Sequence, residues 1–228
     1  MSKQRPAGGA PRDGRRAAWL AMAATPVLIA GASLALLFNP WWVLPAQQRA
    51  GVTGTTGLPE AEVARITGVL ISDATVGPPD FAVTVGGTPV LDAAERGHMR
   101  DVFGVVRAFE VVVALAAAAM IGLGIRNRAS ARWWRAVGRA ALATAVVGSG
   151  VGILFALFFD AAWLAFQRVF FAEGSFSFDP RVERLTQLFP ISFWTEAATT
   201  VFIVGVSISL ALWLGSRHLA SRSRARLG

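Results

Sequence analysis

Four long apolar runs constrain this chain more than any other feature: Ala17 to Phe38, Phe103 to Ile125, Ala140 to Trp163 and Ala197 to Leu214. Each is near or above the ~18–20 residues that cross a hydrocarbon core of about 30 Å as helix. A bilayer interior offers backbone polar groups no water, so helix is the expected form of all four. Hydrophobic residues make up 54% of the chain and charged residues 16%. The charges are also segregated, which a water-soluble surface does not require. A secretory signal is the competing reading of the first run. That run is longer than a signal's apolar region, and no small-residue cleavage site precedes Asn39-Pro40-Trp41-Trp42. Arg15-Arg16 is read as a topology anchor rather than a twin-arginine signal.

The net charge of +8 suits nucleic acid in sum but not in distribution. Fourteen of the 22 basic residues lie before the first run, between the second and third, or after the fourth, and only Asp13 joins them there. The other two connections, with the adjoining span edges, hold the remaining eight basic residues and thirteen acids. This is the positive-inside pattern. It predicts cytoplasmic segments at 1–16, 126–139 and 215–228, spans at 17–38, 103–125, 140–163 and 197–214, and extracytoplasmic segments at 39–102 and 164–196. The basic tails are expected to meet anionic lipid headgroups, and residues 1–16 to be disordered. The tryptophans agree. Trp19, Trp133, Trp134 and Trp213 fall at inner boundaries, and Trp41, Trp42, Trp163 and Trp194 at outer ones, where amphipathic rings concentrate. The Ala/Arg/Gly-rich composition suits a high-GC bacterium, and the spans then place the chain in its plasma membrane.

The first outer segment is too long for a linker. Gln47 to Gly57 reads as loop. Pro59 to Leu70 reads as a short helix with Pro59 in its first turn, Glu60 and Glu62 near the positive end of the dipole, and Val63, Ile66 and Leu70 inward. Phe81 to Val85 and Thr88 to Leu91 read as a hairpin about Gly86-Gly87, with Pro89 confined to an edge. The predicted fold class is therefore an α-helical membrane protein: four transmembrane helices and a small extracytoplasmic α+β cap.

Asp92 and Glu95 form a capping-box-like pair at the head of the second span. At 100° per residue, Glu95, His98 and Asp101 share a wedge of about 120°. Arg107 and Glu110, at i,i+3 spacing, fall inside the span. An ion pair there is either a functional element or a satisfied, snorkelling arginine. Gly148, Gly150 and Gly152 suit close helix contact. The third helix is expected to continue through Phe166 to Phe171, with Asp160 and Gln167 on nearly one face. Gly174-Ser175 ends it, and a short helix follows within Arg181 to Leu188. The aromatic density of this whole outer segment, Phe176 and Phe178 included, reads as interfacial docking.

The chain has no P-loop, Gly-rich dinucleotide turn or His-Glu-x-x-His, and its lack of cysteine removes thiol chemistry. His98 and His218 fall on opposite sides, so no dyad or His-rich metal site forms, and no cofactor is expected. One outer histidine with the carboxylates Glu95, Asp101, Asp160 and Glu196 remains. Such a group acts as base and acid, or is an exposed histidine in a salt-bridge network.

Glu95-x-x-His98-Met99-x-Asp101-Val102 resembles the motif heading the second span of the bacterial lipoprotein intramolecular transacylases. Phe166-x-x-x-Phe170-Phe171, Gly174-Ser175-Phe176-x-Phe178 and Leu185-x-x-Leu188-Phe189-Pro190-x-x-Phe193-Trp194 extend the resemblance, which covers about Ala17 to Gly215. It implies migration of an acyl chain from the glyceryl ester of a lipidated N-terminal cysteine to that cysteine's amine. It implies membrane lipids and diacylated lipoproteins as partners, His98 as base, Asp101 and Glu95 as its orienting groups, and Gln167 as a polar contact. Gln167 stands where the family has a second histidine, and Phe176 where it usually has tryptophan. The alternative is a non-catalytic protein that binds lipid or a partner through its cap. Transport is disfavoured, because the charges cluster at the rim and not near the midplane.

Overall fold

The computed structural model describes residues 10–128 and 130–225. Its helices are α1 (Ala10–Leu34), α2 (Pro40–Arg49), α3 (Val52–Thr56), α4 (Glu60–Thr75), α5 (Ala93–Asn127), α6 (Ala131–Leu157), α7 (Phe159–Phe170), α8 (Arg184–Leu188) and α9 (Ile191–Ala225). Strands β1 (Thr84–Val85) and β2 (Thr88–Pro89) pair antiparallel, with Thr84 opposite Pro89 and Val85 opposite Thr88. Gly86 and Gly87 turn the chain at φ 56° and 83°, the left-handed region that costs glycine least.

Four helical stretches are long and apolar enough to cross a membrane: Gly14–Phe38, Ala93–Asn127, Ala131–Leu157 and Ile191–Ser223. Their large apolar side chains face outward. Val111, Leu115, Ile121 and Ile125 of α5 are each 59–66% exposed. Water would not tolerate so continuous an apolar surface; lipid does.

The chain divides into two compact units. The cap unit is Gly31–Val111 with Ser149–Val204. Its core gathers Val52 from α3, Val63, Ile66 and Leu70 from α4, Phe81, Val83, Val90 and Leu91 around the hairpin, and Leu185 and Leu188 from α8. Ile66, Phe81 and Leu188 are fully buried. Gln47 pins this core from within. Its Nε2 donates to the Leu188 carbonyl at 2.9 Å, and its Oε1 accepts from the Thr67 hydroxyl at 2.9 Å, so a buried amide is satisfied at both ends. A second cluster joins Trp42, Val43 and Ala46 of α2 to Phe193 and Ala197 of α9.

The arginine unit is Met1–Ala30, Val112–Gly148 and Gly205–Gly228. Ala17 and Ala21 of α1 pack there on Trp133, Ala136 and Val137 of α6. Gly138 of α6 meets α9 so closely that a Cβ would stand 2.2 Å from the Ser216 Oγ. A side chain there would make the Ser216 hydroxyl turn from the Trp213 carbonyl to which it donates at 2.8 Å, so glycine suits the contact.

Three sequence expectations are corrected. Gln47–Gly57 is not loop: α2 runs through Arg49 and α3 covers Val52–Thr56. Gly51 and Gly57, at φ 73° and 67°, bracket α3, so the glycines that argue against helix delimit one. The third helix does not continue unbroken into the cap. It stops at Leu157, and α7 restarts after Phe158, whose φ of −134° is not helical. Finally, residues 10–16 are helical rather than disordered, while 1–9 lie outside the described residues.

Candidate functional site

The capping box sets the site's starting geometry. The Glu95 amide donates to Asp92 Oδ1 at 2.8 Å, and the Asp92 amide donates to Glu95 Oε2 at 2.7 Å. Two otherwise unpaired N–H groups are thereby satisfied at the head of α5. Glu95 is almost fully buried, and its other oxygen accepts from the Leu185 amide at 2.6 Å, ninety residues along the chain. One carboxylate thus caps α5 and also receives the first turn of α8.

His98 follows one turn later, before the apolar segment that begins at Phe103. Its ring meets the edges of two phenylalanines, with centroids 4.9 Å from Phe171 and 5.5 Å from Phe178. Its Nδ1 is buried and, among the described residues, has no hydrogen-bond partner. Burial pushes the imidazole below its ordinary value of 6.5, and the Asp101 charge opposes this more weakly. The ring is accordingly neutral at neutral pH, with a nitrogen that no protein group occupies.

The aromatic walls have local causes. Phe171 ends α7, and its amide donates to the Gln167 carbonyl at 2.9 Å. Gln167 is half-buried, one turn before that ring. Gly174, at φ 87°, reverses the chain, and the Ser175 amide and hydroxyl both donate to the Ala172 carbonyl. Asp179 then holds the following turn. Its Oδ1 accepts from the Arg181 amide at 2.9 Å and from the Arg181 guanidinium at 3.1 Å, and these bonds hold its carboxyl below the usual carboxylate range. Phe178 sits at the start of this turn, and Glu95 secures its far end through Leu185. Leu188, fully buried, and Leu185 belong to the cap core. The Leu-x-x-Leu-Phe-Pro element is therefore structural, and it fixes the loop that encloses His98.

The four site residues read from sequence are thus placed differently. His98 is enclosed, and Asp101 acts on it through charge. Glu95 makes no hydrogen bond to His98; its oxygens are engaged by Asp92 and Leu185. Gln167 stands one helical turn before Phe171 and is half-buried. Glu196 pairs with Arg49, whose Nε lies 3.0 Å from its Oε1, and Asp160 is exposed. Arg107 bonds to Glu110 at 2.6 Å and to the Thr75 carbonyl, and lies over the Phe103 ring. It is a satisfied arginine that ties α5 to the end of α4. Sequence reading missed Phe171 and Phe178 as walls of the histidine. Their signal was the aromatic spacing around Gly174, read as interfacial docking.

Fold and site together define a four-helix integral membrane protein with a small mixed cap and one aromatic-enclosed histidine at the head of its second long helix. The sequence model of the lipoprotein intramolecular transacylases, Lit, matches residues 18–194. The chain belongs to this family. No curated protein matches the chain. Among solved structures, it is similar to membrane-integral Lit from Bacillus cereus, solved in meso, at TM-score 0.80 and 16% identity over 94% of this chain and 99% of that one. Two variants of that protein, with a histidine changed to arginine or to alanine, match at TM-score 0.73, with 15% and 16% identity. Each alignment covers 94% of this chain, with 95% of the arginine variant and 96% of the alanine variant.

Proposed function

We propose that this chain moves an acyl group from an ester oxygen to the amine of the same lipidated lipoprotein, at the cap face of a bacterial plasma membrane. In this reading the cap is extracytoplasmic and both termini are cytoplasmic, as the arginine distribution requires. His98 takes a proton as the substrate amine attacks the ester carbonyl. The tetrahedral intermediate collapses, the C–O bond breaks as the C–N bond persists, and His98 returns the proton to the departing glyceryl oxygen. One imidazole serves both halves, so atoms and protons balance. The Gln167 carboxamide is a donor suited to the oxyanion, although it cannot exchange a proton near neutral pH. Asp101 stabilises the imidazolium that forms in between. Glu95 is a positioning residue that keeps the Phe178 turn against the histidine.

The single supporting observation is the buried, unpartnered Nδ1 of His98 between two phenylalanine rings. A purely structural histidine at that depth is normally hydrogen-bonded. The test is mass spectrometry of lipoprotein N-termini in a host without its own N-acylation. Wild type should yield the N-acylated lyso form, and His98→Ala should not. Absence of any lyso form with wild type rejects catalysis.

The second reading, a cap that binds lipid or a lipoprotein without turnover, rests on Gln167 standing where the family has a histidine. It expects no product from wild type, and product on Gln167→His.

A further inference from the structure

The arginine unit presents a charge arrangement that its own sequence cannot neutralise. It contains fourteen basic residues and one acid, Asp13. Four of these arginines converge on one pocket of about 390 Å³ between α1 and α6: Arg15, Arg132, Arg135 and Arg139. All four are exposed. On α6 they recur at i, i+3 and i+7, one helix face, where like charges repel. Guanidinium groups held in this register without acids make the face attractive to an anion.

The rest of the lining says which kind. Trp19 and Met22, one and two turns along α1 from Arg15, are exposed into the same pocket. Ala18 and Ala136 supply the space, since any longer side chain at either position would occupy it. The pocket is therefore cationic at the helix ends and apolar where α1 enters its membrane-crossing stretch. Its volume is several times that of a phosphate ion and falls in the range of small-molecule sites. A free anion would leave the apolar part unused.

We infer that this pocket binds one anionic glycerophospholipid, with the arginines on its phosphodiester and Trp19 and Met22 against the start of its acyl chains. The site is independent of His98 and of acyl transfer. It differs from general attraction between basic loops and anionic bilayers, because it is a single site with a shape.

Native mass spectrometry of the full chain, released from detergent micelles carrying equal phosphatidylglycerol and phosphatidylcholine, tests it. One phosphatidylglycerol per chain should be retained in preference to phosphatidylcholine. Arg135→Gln with Arg139→Gln should lower its apparent affinity roughly thirtyfold, the loss expected for two arginines at an anionic surface. Arg217→Gln with Arg222→Gln removes equal charge from α9, outside the pocket, and should change it less than about twofold. Ala18→Leu keeps every guanidinium and should also reduce retention by filling the space. Equal losses from both arginine pairs, or full retention in Ala18→Leu, would overturn the pocket. Displacement of the lipid by equimolar glycerol phosphate or inorganic phosphate would overturn the lipid and assign a soluble anion.

Discussion

The two units treat charge in opposite ways. In the cap unit, charges are cancelled in place. All five ion pairs among the described residues lie there, joining Arg49 to Glu196, Arg65 to Glu62, Arg96 to Asp80, Arg107 to Glu110 and Arg181 to Asp179. Its buried polar groups are matched as well, as Gln47 and Glu95 show. In the arginine unit almost nothing is cancelled. The contrast teaches where to look for ligands. Where the chain satisfies its own polar groups, an exception such as the His98 Nδ1 stands out. Where it supplies one sign of charge only, the surface favours a partner of the other sign.

The largest effect should come from that exception. His98→Ala is expected to reduce acyl transfer about 10²–10⁴-fold, the span typical of a general base, with the melting temperature in detergent nearly unchanged. Comparable transfer by the variant in the lipoprotein assay would break the contrast at its cap end. Glu95→Ala tests the satisfied groups instead. It leaves the buried Leu185 amide without its acceptor and the part-buried Asp92 amide to solvent, at a cost of about 1–3 kcal/mol. Thermal unfolding should shift down markedly; an unmoved transition would show that the link from α5 to α8 is not structural.

The pH response sharpens the role of His98. Its folded value lies below the unfolded 6.5, so the unfolded chain takes up the proton first as pH falls. Stability from this group should therefore decline from about pH 7 down to the folded value and then level off. Transfer should persist through pH 6.5 and fall only below it. A profile that breaks above 6.5, or a His98→Gln variant with an unchanged stability profile, contradicts the burial argument. The smallest effect belongs to the exposed pairs. Arg65→Ala removes an i,i+3 partner of Glu62 at the cap surface and should barely move thermal unfolding, because water screens an exposed pair. A larger loss would locate its value in the bond to the Thr84 carbonyl at 2.6 Å, which joins α4 to the hairpin.

Parts of this were legible because they depend on local rules. The long spans follow from run length, the hairpin from Gly86-Gly87, and the start of α5 from Asp92 and Glu95 three residues apart. Other parts were not. In Val52–Thr56, glycine and threonine read against helix, and tertiary burial of Val52 and Thr56 outweighs that propensity. The break at Phe158 has no proline or glycine to announce it. Beyond it, Phe159, Trp163, Phe166 and Phe170 form one aromatic stripe on α7, with successive centroids 6.1, 5.5 and 5.0 Å apart.

By itself, then, the sequence determined a membrane protein of four apolar helices, the segregation of arginines to one set of segments, and a shared face for Glu95, His98 and Asp101. Periodicity and hydropathy act over a few residues, so they are readable without a fold. Only the tertiary structure decided what each of those groups meets. Glu95 turned from a partner of His98 into the acceptor of the Leu185 amide. His98 turned from a rim histidine among carboxylates into a neutral ring between Phe171 and Phe178. Both changes rest on contacts across more than seventy residues, where no local preference specifies which side chain comes to face which.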